Sequence, residues 1–164
     1  MLKKIIYNLL PFNNISNKIY KLYIKSHNNF LKGNKILAKY YSYKIYRKYN
    51  CYISPNAKIG KNLLIAHPVG IVIGDGVNIG DNSIIFQNVT LGRNDYHKED
   101  YPTIGNNVTI YSNSVISGNV EIGDNCVIGC NSFVNCSFED NLLIGGTPAK
   151  VIRKLENRKE EKKK

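Results

Sequence analysis

Two histidines are the residues best suited to chemistry in this chain of 164 residues. His67 sits in Ala66-His67-Pro68-Val69-Gly70, and His97 in Asp95-Tyr96-His97-Lys98-Glu99-Asp100. An imidazole exchanges protons near neutral pH, which suits it to general-base work on a hydroxyl. His27 lies in a lysine-rich arm and reads as a surface residue. Cys51, Cys126, Cys130 and Cys136 show no C-x-x-C spacing and read as small core fillers in a reducing compartment. Cys130 and Cys136 are six apart, which puts them on adjacent faces of the coil described next and argues against a bridge.

The elements that must position the two histidines form a repeat. From Ile53 an aliphatic residue returns every six positions: Ile53, Ile59, Ile65, then Ile73, Ile79, Ile85, Leu91, then Ile104, Ile110, Ile116, Ile122, Ile128 and Val134. Three residues later comes asparagine at 56, 62, 82, 88, 94, 107, 113, 119, 125 and 131. Asparagine tolerates positive φ, the conformation of a sharp corner. A short strand and a corner every six residues describe a triangular coil, with three hexads per turn. The prediction is a mainly β fold, residues 53–144, with the aliphatics inside and the asparagines along the edges. The pattern resembles the hexapeptide-repeat, left-handed parallel β-helix; the handedness is what that resemblance implies.

Both histidines stand at breaks in this period. Ile65 to Ile73 contains two extra residues, beside His67. Leu91 to Ile104 contains seven extra, and residues 92–103 read as an active-site loop carrying His97. A solenoid has no structural need for such a loop, and loops on rigid scaffolds tend to carry function.

Charge is unevenly spread within a formal net of +11. Residues 1–52 hold eleven Lys/Arg and no acid; residues 53–144 hold four basic and nine acidic residues. The first segment reads as two or three basic amphipathic helices. Leu2, Ile5, Ile6, Leu9 and Leu10 mark one face, and Ile15, Ile19, Leu22 and Tyr23 a second. Asn34 reads as an N-cap for a helix carrying Ile36, Leu37, Tyr40, Tyr41 and Ile45. Their expected role is to cover the open end of the coil, and such helices also suit peripheral contact with an anionic membrane. Residues 145–164 read as a closing segment and a basic tail, disordered from 160 onward. No cleavable signal or membrane span is read, so the expected location is the cytoplasm, at the inner face of the membrane. Basic charge without a nucleic-acid motif gives no support for a nucleic-acid partner.

Residues 51–152 resemble the catalytic part of the serine acetyltransferases and the related capsular polysaccharide O-acetyltransferases. The matching segments are 53–60, 67–74 and 87–92, with His97 in its loop and Gly146-Thr147-Pro148-Ala149-Lys150 at the close. The resemblance implies a homotrimer that uses acetyl-CoA as co-substrate, without a metal. It implies His67 as general base and His97 as a catalytic partner holding the acceptor. Gly92, Arg93, Asn113, Lys150 and Arg153 would meet CoA, with a backbone N–H near Gly92 as oxyanion donor. Tyr96, Asp95 and Asp75 would meet the acceptor.

Three departures shape the expected acceptor. Where the serine enzymes carry an acid before the catalytic histidine, this chain has Ala66. Where a second acid stands fifteen residues earlier, it has Tyr52. Where an arginine precedes the loop histidine, it has Tyr96. The charged grips for a free amino acid are missing, so the expected acceptor is a sugar hydroxyl in surface or capsular polysaccharide biosynthesis, with serine of cysteine biosynthesis as the alternative. Asp75, Asp95 and Asp100 stand as candidates to orient His67. A non-catalytic scaffold or membrane-docking protein is a further alternative. A zinc lyase on the same prism needs three histidine ligands, and prism and loop supply two.

Overall fold

The computed structural model describes residues 11–95, 97, 98 and 100–156, without the side chains of residues 11–13. The helix face expected from Leu2 to Leu10, the tail beyond 156 and Tyr96 lie outside the described residues.

Two helices lead into a parallel solenoid of about 5 turns. Its first face carries five parallel strands, Cys51–Ile53, Ile71–Ile73, Thr90–Gly92, Val115–Ser117 and Phe133–Val134. The second carries Lys58–Ile59, Asn78–Ile79, Thr103–Ile104 and Glu121–Ile122. The third carries Leu64–Ile65, Ile84–Ile85, Thr109–Ile110, Val127–Ile128 and Leu142–Gly146, closed by antiparallel Ala149–Lys154. The hexad aliphatics stack in register. Ile53 lies opposite Ile73, Ile73 opposite Leu91, Leu91 opposite Ile116, and Ile116 opposite Val134. Twelve of the thirteen are buried, and Ile59 is half-buried. The extra residues at both breaks leave the prism at its edges, so the register survives them.

The corner expectation holds at two edges of the three. Asn62, Asn82, Asn107 and Asn125, between the second and third faces, have positive φ, as do Asn88, Asn113 and Asn131 between the third and first. Gly70, with φ +66, takes the corner position there in the first turn, where a Cβ would lie 2.2 Å from Asn88 Oδ1. Asn56, Asn94 and Asn119, between the first and second faces, do not share that conformation. At that edge the Ala57 N–H donates to Ser54 O at 3.3 Å and the Val77 N–H to Gly74 O at 3.4 Å. Asn56 and Gly76, at the centres of these two turns, keep negative φ, as in a type I turn.

The acids of the prism have structural work at the edge between the second and third faces. Asp81 Oδ1 accepts the Lys61 N–H at 2.7 Å, Asp124 Oδ1 the Asn106 N–H at 2.6 Å, and Asp140 Oδ1 the Asp124 N–H at 2.7 Å. Each satisfies a backbone donor of the preceding turn.

Helix α1, Pro11–Leu31, covers the open end of the coil. Ile19 and Tyr23 are buried, with Ile15 and Leu22 packed beside them. The first turn exposes backbone groups with no neighbouring coil, and hydroxyls from α1 satisfy them. Ser16 Oγ accepts the Ile65 N–H at 2.9 Å, Tyr20 donates to Gly60 O at 2.9 Å and Tyr23 donates to Ala57 O at 2.8 Å. His27, read as a surface residue, is half-buried in this seam. Its Nδ1 lies 2.8 Å from Pro55 O, and its ring stacks on Tyr23.

Helix α2, Lys35–Tyr49, starts on Asn34, whose side chain accepts the Leu37 N–H, and stops on Asn50 in the left-handed conformation. Its buried face corrects the expectation. Ala38, Ser42 and Ile45 face inward, whereas Ile36 is 86% exposed and Tyr40 53%. Small residues let the helix approach closely enough for Ser42 Oγ to donate to Ile53 O at 2.7 Å and Ser26 Oγ to Ala38 O at 2.7 Å. A count of large apolar residues misses that docking mode.

All four cysteines are free thiols. Cys51 and Cys126 fill the core, and burial pushes the Cys51 thiol up to about 12. Cys130 and Cys136 are exposed, contrary to their reading as core fillers.

Candidate active site

His67 stands in the excursion between the third and first faces. The extra residues turn sharply, with the Val69 N–H donating to His67 O at 2.8 Å and the Gly70 N–H to Asn50 O at 2.9 Å. The ring is exposed and begins an aromatic column down this edge. His67 and Phe86 have centroids 6.1 Å apart, and Phe86 stacks on Tyr111 at 4.9 Å. Phe86 and Tyr111 directly follow Ile85 and Ile110, one coil apart, so reading the hexads by turns would have found the column. Asn113 lies on the same edge, where Asn88 Nδ2 donates to its Oδ1 at 3.0 Å.

His97 stands elsewhere. Its loop leaves the prism between the first and second faces. Asp95 Oδ1 accepts the His97 N–H at 2.9 Å, which fixes the tip. The base of the loop is anchored by Tyr101, whose ring lies where a Cβ on Gly76 would fall, 2.3 Å from Cδ2. Asp75 is at this edge too, and Ser54 Oγ donates to its carboxylate. Asp75 and Asp95 thus group with His97, on a different prism edge from His67. Tyr52 joins the group. Burial raises its hydroxyl pKa, the Asp75 charge adds to this, and a hydrogen bond with Ser54 opposes it.

Gly92 ends a first-face strand, opposite Ser117, and a Cβ there would meet open space. Arg93 follows it, half-buried. Lys150 and Arg153 are exposed on the closing hairpin, opposite Gly145 and Leu143. Gln87 Oε1, beside Phe86 on the His67 edge, is buried without a hydrogen-bond partner.

The model of the bacterial transferase hexapeptide (six repeats) matches residues 101–136. Serine acetyltransferase of Neisseria gonorrhoeae superposes with a TM-score of 0.85 at 30% identity, covering 94% of this chain and 59% of that one. The enzyme of Vibrio cholerae O1 biovar El Tor N16961 gives 0.83 at 29%, covering 87% and 55%. The enzyme of Brucella abortus strain S19 in complex with coenzyme A gives 0.81 at 28%, covering 84% and 55%. No curated protein sequence matches significantly. The chain spans a little over half the length of these solved chains. It shares their left-handed β-helix, with two helices as an N-terminal cap.

Proposed function

We propose that this chain is an acetyl-CoA-dependent O-acetyltransferase. The reading is carried by an exposed histidine, His67, at an edge break of a prism that superposes on serine acetyltransferases, one of them solved with coenzyme A. His67 takes the proton of an acceptor hydroxyl as its oxygen attacks the thioester carbonyl. A backbone N–H at the Gly92–Arg93 step meets the tetrahedral oxyanion. Collapse breaks the C–S bond, and the imidazolium returns its proton to the CoA sulfur. Lys150 and Arg153 meet CoA phosphates, Asn113 lies along the same path, and His97 holds the acceptor.

The two histidines leave different edges, which supports a site shared between copies. The outward residues of the first face are Tyr52, Val72, Thr90, Val115 and Phe133, and Val69, Phe86 and Tyr111 continue this apolar surface onto the His67 edge. The second face presents Lys58, Asn78, Thr103 and Glu121 outward. Packing the apolar side against a neighbour in a homotrimer brings the first–second edge of one copy to the His67 edge of the next.

The structural likeness favours free serine as acceptor over a sugar. A sugar hydroxyl is the second reading, and it rests on Ala66, Tyr52 and Tyr96 standing where the serine enzymes carry two acids and an arginine. CoA release from acetyl-CoA, measured with serine, nucleotide sugars and oligosaccharides, decides. Turnover with serine supports the first reading and turnover with sugars alone the second. No release with any hydroxyl overturns the transferase.

The arm also suits a peripheral membrane contact. No helix among the described residues is long and apolar enough to cross a membrane. Helix α2 instead presents Ile36 and Tyr40 outward, flanked by Lys44, Arg47 and Lys48 and by no acid. Co-sedimentation with phosphatidylglycerol vesicles, lost in high salt, is the expected result; equal recovery with phosphatidylcholine vesicles would rule the contact out.

A further inference from the structure

A cavity of about 650 Å³ lies between α2 and the edge where the first face turns into the second. Neither His67 nor His97 lines it. Its size is that of a small-molecule site. Helix α2 contributes Lys35 and Lys39, one turn apart and so on one side of the helix, and then Tyr43 and Tyr46. The prism contributes Tyr52, Asn56 and Asp75.

We propose that this cavity binds an acidic sugar residue, with its carboxylate on Lys35 and Lys39 and its ring between the tyrosines. Three features select that class. Tyr43 and Tyr46 are 54% and 53% exposed, and aromatic faces of this kind pack against the C–H face of a pyranose. On the prism wall, the Asp75 carboxylate, the Asn56 amide and the Tyr52 hydroxyl offer donors and acceptors to ring hydroxyls. Ser54 holds Asp75 in place, and Tyr101 packs against the glycine beside it, so this wall is built before a ligand arrives. The charge then discriminates: two lysines and one aspartate line the cavity, with no acid on the helical arm, which leaves a net positive site for an anion. A neutral sugar would leave both lysines unanswered, and free serine would leave the aromatic surface uncovered.

The cavity shares its prism edge with the loop that carries His97. A bound glycan is thereby held on the edge that the proposed function gives to the acceptor. The inference depends on the sugar reading only for the glycan's later fate, because binding is measured without acetyl-CoA.

Titration calorimetry on the full chain, with glucuronic acid against glucose and serine, tests it. The expected result is saturable binding of glucuronic acid, at least tenfold tighter than glucose or serine. A Lys35→Ala/Lys39→Ala variant should lose at least tenfold, as should Tyr43→Ala/Tyr46→Ala. These side chains are exposed, so both variants should retain the wild-type circular dichroism. His67→Ala should bind as the wild type does, which separates failure of this site from failure of the transferase reading. Absent binding, equal binding of glucose, or unchanged binding by the folded lysine variant would overturn the proposal.

Discussion

Replacing His67 with alanine should lower kcat for acetyl transfer by about 10²–10⁴-fold, the usual worth of a positioned general base. The side chain is exposed at an edge excursion, outside the stacked core. Its ring lies against Phe86, which keeps its stacking on Tyr111 when the imidazole is removed. The variant should therefore fold, assemble and retain its KM for acetyl-CoA. That split distinguishes lost chemistry from lost structure. Steady-state CoA release checks it, and a loss below tenfold would remove His67 from the role of base.

The second large effect is on stability. Ile110→Ala should cost about 2–5 kcal/mol, the range for truncating a fully buried large aliphatic. Ile110 is 0% exposed and sits in the third-face stack between Ile85 and Ile128. Alanine leaves a void that neighbouring turns cannot close without giving up their strand pairing. Whole-domain stabilities run to about 5–15 kcal/mol, so this single change removes a large share. Thr103→Ala, at an outward position of the second face, should stay within about 0.5 kcal/mol. Urea denaturation of both variants measures the contrast, and similar midpoints would mean that the hexad stack does not carry the fold.

The prism was legible because its signal is local and repeated. One aliphatic every six residues fixes strand, corner and turn together, and both breaks in that period locate the two histidines. Other parts were hidden for physical reasons. Helix α2 docks through Ala38 and Ser42, and small residues leave no hydropathy peak. Asn56, Asn94 and Asn119 look like the other corner asparagines, yet the edge they occupy turns by another route. The cavity is assembled from α2 and from coil residues up to about forty positions away, a juxtaposition with no period to read. The acids that make the prism negative proved in part to be backbone caps, with Asp81, Asp124 and Asp140 each serving the turn before. The separation of His67 and His97 onto different edges follows only once the hexads are assigned to faces.

That separation is the centre of the proposal that the two histidines act together across copies of the chain. The most direct measurement mixes two inactive variants. His67→Ala and His97→Ala chains, each assembled alone, should show little CoA release. Co-expressed at equal levels, they should regain about a quarter of wild-type activity, because random assortment restores one intact histidine pair in about four shared sites. Mixed assemblies that stay inactive, or a wild-type chain fully active as a monomer, would contradict it.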